Sequence, residues 1–91
     1  MPLYWLTYQR NARLAGVAIV PARSLMAARK RAAMDGLGIG MMFERGHSLD
    51  PQTAARIPQD RIGRMLSRKE AADLLELIER HAGRTDRSIN G

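Results

Sequence analysis

Three groups of residues carry enough chemistry to suggest a reaction or a ligand. His47 stands beside Ser48, with Glu44 and Asp50 three residues to either side, which supplies a base, a hydroxyl and carboxylates. Adjacent residues of a strand point to opposite faces, so this adjacency works against a Ser48–His47 hydrogen bond. An enzyme centred on His47 therefore ranks behind the binding readings. Gly36-Leu-Gly-Ile-Gly40 has the glycine density of a phosphate cradle, but such a loop follows a strand and opens a helix. Here the glycines follow a helical stretch and precede an extended one, so they read as turn and bulge positions.

The second group is basic. Residues 1–34 hold six cations (Arg10, Arg13, Arg23, Arg29, Lys30, Arg31) and no carboxylate, whereas residues 35–91 hold nine of each sign, so the whole net charge of +6 belongs to the first third. Arg10, Arg13, Arg23, Lys30 and Arg31 are candidate phosphate contacts, enough for weak, salt-sensitive and largely non-specific binding of a nucleic acid. The chain has only one Phe, two Tyr and one Trp, few platforms for stacking bases. Near the end of a helix, the Arg29-Lys30-Arg31 run is also explained by the helix dipole.

The third group is apolar. Tyr4, Trp5 and Tyr8 on an aromatic first strand, with Met41 and Phe43 in a soft apolar run, are suited to a protein interface as well as to a core. A small domain without disulfide or metal often gains stability by pairing, so a protein partner or a homodimer is the favoured occupant.

Composition narrows the remaining classes. The absence of cysteine removes disulfides, thiolate metal sites and thiol nucleophiles. His47 and His81 are distant in sequence and lack carboxylate clusters, so no metal or other cofactor is expected. The longest uncharged run, Leu14–Ala22, has nine residues, about half of a bilayer span. No membrane role is expected, since the first helix has an alanine-rich face that would bury little area in lipid. The expected location is the cytoplasm, with the chain beginning directly in its fold.

The elements that must position these groups follow from local pattern. Leu3–Tyr8 alternates as a strand, and Leu14–Val20 reads as a second, more buried one. The two form a hairpin with Arg10 and Arg13 at its tip and Asn11 suited to the turn. Ser24 caps a helix from Leu25 whose Ala28 and Ala32 allow close approach to a sheet, and Asp35-Gly36 ends it. Leu37–Glu44 is expected as strand three, with Ile39, Met41 and Phe43 on one face, before a turn at Arg45-Gly46. Asp50-Pro51 opens a short helix, and residues 59–66 are expected to add another helical turn. Ser67-Arg-Lys-Glu70 is a capping box, with Leu66 and Ala71 placed for a hydrophobic staple. Ala71, Leu74, Leu75, Ile78 and Ala82 trace the buried stripe of the last helix, which Gly83 is expected to stop.

The predicted fold is therefore a small single α+β domain over residues 1–83, followed by a disordered tail at 84–91. Its three-stranded, mainly antiparallel sheet follows the order β-β-α-β-(short helices)-α, with helices packed mainly on one face. The expected function is that of a non-enzymatic interaction or regulatory module.

Overall fold

A computed structural model describes residues 1–90, with side chains through Glu79. The first two strands, β1 (Leu3–Arg10) and β2 (Arg13–Pro21), are joined by Asn11 and Ala12, both with positive φ. Two left-handed residues in a two-residue loop match the twist of the flanking strands. Helix α1 (Leu25–Met34) starts where the Ser24 hydroxyl accepts from the Ala27 amide at 3.1 Å. It stops in a Schellman arrangement, with the Leu37 amide donating to the Ala32 carbonyl and Gly36 at φ 75°.

The sheet has four strands in the order β3-β1-β2-β4, all named pairs antiparallel. This corrects the expected three strands. The missed strand is β4 (Met65–Ser67), three residues paired with β2 through Val17 and Leu66. So short a segment shows no alternation of its own. Gly16 makes room for it, because a Cβ there would lie 2.8 Å from the Leu66 carbonyl oxygen. The helical turn expected over residues 59–66 is confined to a 3-10 helix at Gln59–Arg61.

Strand β3 is also displaced from its expected position. It runs Met42–Ser48, so Arg45 and Gly46 lie within the strand and the turn falls at residues 35–40. A Met41 amide to Gly38 carbonyl bond closes that turn, with Gly38 and Gly40 at positive φ. The alternation of Ile39, Met41 and Phe43 imitated a strand over residues that glycine turns away.

The helices do not share one face. Trp5, Val17, Ile19, Leu66, Ala71 and Leu74 form one core cluster beneath α3 (Arg68–Asn90), joined by Ile57, which follows the short α2 (Pro51–Ala55). Leu6, Tyr8, Ala18 and Val20 form the other, beneath Ala28 and Ala32 of α1. Consecutive residues Val17 to Val20 are all buried, which a strand achieves only when both its faces are covered.

The capping box forms as expected, with Glu70 N–H donating to Ser67 Oγ and Ser67 N–H to Glu70 Oε1, both at 3.1 Å. Glu70 Oε2 also accepts from Arg64 Nη2 at 2.8 Å and Arg61 Nη1 at 3.3 Å, tying the 3-10 segment and the residue before β4 to α3. In α3, Leu75 lies at the margin of the stripe rather than in it, being 42% exposed. The helix bounds extend past the expected stop at Gly83. Ala82 in the stripe and the tail over residues 84–91 lie outside the residues whose side chains are described.

Two outcomes follow. Ala12 sits at φ 62°, a conformation that costs an L-residue about 1 kcal/mol. Ala12→Gly therefore raises the thermal midpoint by a few degrees, measured by circular dichroism. The hydrogen bond from Arg64, then that from the Ser67 amide, lowers the Glu70 carboxyl to about 2. A depressed carboxylate contributes stability that is complete above its ordinary value near 4.5 and lost as pH falls toward 2. Glu70→Gln, which retains a capping side chain, lowers the urea midpoint at neutral pH, and the gap from the parent closes as pH falls through that window.

Candidate functional site

The richest concave surface lies between α1, the Leu37–Met41 turn and the outer strand β3. It is an open groove of about 580 Å³ lined by Tyr8, Met26, Arg29, Lys30, Ala33, Leu37, Gly38, Met41 and Phe43. The contribution of α1 is a stripe: Met26, Arg29, Lys30 and Ala33 stand at i, i+3, i+4 and i+7, which share one helix face. Ala28 and Ala32, roughly a third of a turn around α1 from the stripe, hold the helix down on β1 and β2. The stripe is thereby turned toward β3.

The floor is built by an aromatic pair. Tyr8 and Phe43 lie opposite each other across β1 and β3 and meet edge to face, with centroids 5.9 Å apart. The Arg29 guanidinium covers the Phe43 ring at 4.1 Å from its centroid, a cation–π contact. Gly38 rests on Tyr8 so closely that a Cβ would lie 2.7 Å from the ring, and its φ is +76°. Both facts require glycine there. Burial pushes the Tyr8 phenol above its ordinary pKa, and the Arg29 charge partly offsets this.

The five interface candidates divide between core and groove. Trp5 and Tyr8 are 5% and 7% exposed. Trp5 packs under α3, Tyr4 is half-buried against the α1 cluster, and only Tyr8, Met41 and Phe43 reach the groove. Among the phosphate candidates, Arg10 donates to the Gly40 carbonyl at 3.4 Å and Arg31 to Asp35 Oδ2 at 3.1 Å. Arg13 faces Arg10 across the hairpin, and Arg13, Arg23 and Lys30 are exposed. Lys30 alone of the five lines the groove. Sequence reasoning missed Arg29, Met26, Ala33 and Leu37 as site residues. The signal was available in the helical spacing of the first three.

His47 sits at a smaller pocket of about 270 Å³ with Trp5, Ser48, Leu49, Asp50, Thr53, Leu75 and Ile78. The two carboxylates nearest it in sequence have partners of their own. Asp50 accepts from the Thr53 amide and hydroxyl, both at 2.9 Å, as the N-cap of α2, and the amide bond holds its pKa below the usual carboxylate value. Glu44 pairs with Arg45 at 3.5 Å. His47 and Ser48 are both exposed. Among the described residues, no cluster of three metal-ligating side chains exists, and no helix is long and apolar enough to cross a membrane.

Comparison with protein-family models, with curated proteins and with solved structures gives no match.

The burial of Tyr8 is directly measurable. In a Tyr4→Phe background, ultraviolet titration finds Tyr8 ionising above the ordinary value near 10. Phe43→Ala, which opens the ring to water, brings that titration down. Since the folded-state pKa is the higher one, Tyr8 also supports the fold below pH 10 and withdraws that support as pH rises through its folded value.

Proposed function

We propose that this chain is a small non-enzymatic interaction module that holds a segment of a protein partner in the groove between α1 and β3. The observation that carries this reading is the make-up of the groove: an apolar floor, two cations on its rim and no carboxylate among its lining residues. Met26 is 61% exposed, and a thioether on a flexible stem adapts its shape to what it meets. An apolar surface with convergent charge is a recognition surface rather than an ordinary solvated helix face.

A different protein fits better than a second copy paired along the open edge of the sheet. The outer strand β3 carries a bulge at Glu44, where the register with β1 shifts, and charged side chains at Glu44 and Arg45. Bulges and charges of this kind oppose edge-to-edge pairing.

Weak nucleic-acid binding is the second reading, favoured by the excess of six cations in residues 1–34. Two of the five candidate cations already have intrachain partners, and the groove's aromatic rings pack on each other and on Arg29.

A photo-crosslinking phenylalanine analogue at Met26, irradiated in extract of the source cells, should give a discrete protein adduct. The same analogue at Gln52, exposed on α2, should give none. Equal labelling from the two positions overturns the reading. Anisotropy with labelled duplex DNA and single-stranded RNA should find only binding that collapses between about 50 and about 250 mM salt. Micromolar binding that survives the higher salt makes nucleic acid the function instead.

A further inference from the structure

The width of the sheet says more about what the groove can hold. Four strands place the outer axes roughly 14 Å apart, while one helix with its side chains covers about 10 Å. Helix α1 reaches the sheet through Ala28 and Ala32, packed on Leu6, Ala18 and Val20 of the central strands. These short side chains bring it close to β1 and β2; toward β3 it reaches at its first turn, where Leu25 lies over Gly46, and farther along only through the Arg29 side chain over Phe43. The α1 face of β3 is therefore only partly covered, with Phe43 half-buried beneath Arg29. The uncovered position is the one a second helix, alongside α1, would occupy in a sheet layered with two helices.

The dimensions along α1 agree. From Met26 to Ala33 the stripe rises about 10 Å, or two helical turns. Two turns of a facing helix present apolar residues at i, i+3, i+4 and i+7, enough to meet Met26, Met41 and Phe43. The electrostatics set the sign of the flanks. Arg29 and Lys30 rise from the rim, α1 contains no acidic residue, and Asp35 beyond its end is paired with Arg31. A basic flank on the partner would meet like charge, and an acidic one would meet two donors.

We infer that the groove receives one amphipathic, acidic helix of a partner protein, seated beside α1 over β3. This rests on the groove being the binding surface. Arg29 is the selecting residue: its guanidinium lies over the Phe43 ring, where it can keep its stacking contact while its donors turn to a partner carboxylate.

The methionines supply the readout. Met26 and Met41 line the groove, Met65 packs in the α1-side core, and Met1 lies outside both. Protein labelled at the methionine methyls is titrated with three short synthetic peptides. One carries leucines at i, i+3, i+4 and i+7 with glutamates between. In the second the glutamates become lysines. The third keeps the first composition but scatters the leucines around the helix.

The acidic amphipathic peptide should shift Met26 and Met41 while leaving Met1 and Met65 in place. The lysine and scattered peptides should bind about tenfold more weakly or worse. Arg29→Glu and Lys30→Glu, each with an unshifted Met65 signal as evidence of an intact fold, should reverse the preference between the acidic and lysine peptides. Equal binding of the lysine peptide overturns the acidic partner but leaves the groove reading standing. Equal binding of the scattered peptide overturns the helix. If no peptide moves Met26 or Met41, both the inference and the groove reading fail. Stronger shifts of the same methyls by phosphatidylserine vesicles or by RNA than by the acidic peptide overturn a protein partner.

Discussion

The structure depends on the pairing of β1 with β2, a hairpin buried on both faces. Every residue from Gly16 to Val20 is buried, so this sheet cannot be stable with one face open to water. Burial of an aliphatic side chain contributes about 1.5–3 kcal/mol, and Leu6, Val17, Ile19, Val20 and Leu66 are essentially inaccessible. A helix on each side becomes obligatory. The two covering helices are unlike: α3 brings Ala71 and Leu74, with Ile78 at its edge, whereas α1 buries only alanines, Ala28 and Ala32, and lays Leu25 over Gly46 at its start. Small side chains allow α1 to approach closely, at the cost of the breadth it can cover. The groove over β3 is the consequence.

Local signals in the sequence were strong where one or two residues decide the backbone. Asn11 at the hairpin turn, Ser24 at the start of α1, Asp50-Pro51 before α2 and Ser67 with Glu70 before α3 each act through a conformational preference or a side-chain hydrogen bond. Each was therefore readable without tertiary context. The third strand was misplaced because apolar alternation across residues 37–43 is the same whether the backbone is extended or turning. Three glycines at positive φ decide it for the turn as far as Gly40. The fourth strand has no pattern of its own, since its pairing is dictated by β2 and by the clearance at Gly16. The unbroken apolar run of β2 held the clue to a sheet covered on both sides. By itself such a run shows that the strand is deeply buried; which helix covers which face depends on the order of the four strands.

The candidate site was legible only in pieces. An aromatic first strand looks the same in sequence whether it lines an interface or a core, and Trp5 belongs to the core. Phe43 and Met41 were visible as a soft apolar pair, and the basic bias of the first third was visible in full. Their convergence was not. It requires knowing that Ala28 and Ala32 face the sheet, which turns Met26, Arg29 and Ala33 toward β3.

The central claim is that this groove stands open in the free protein. The most direct measurement is the relaxation of the methionine methyl signals by a soluble, uncharged paramagnetic agent, recorded on dilute and concentrated samples without any ligand. Met26, 61% exposed, is expected to relax nearly as strongly as Met34, 83% exposed, with Met65 shielded and with concentration changing neither. Shielding of Met26 to the level of Met65 would mean that the chain itself or a second copy fills the groove, and would contradict the account.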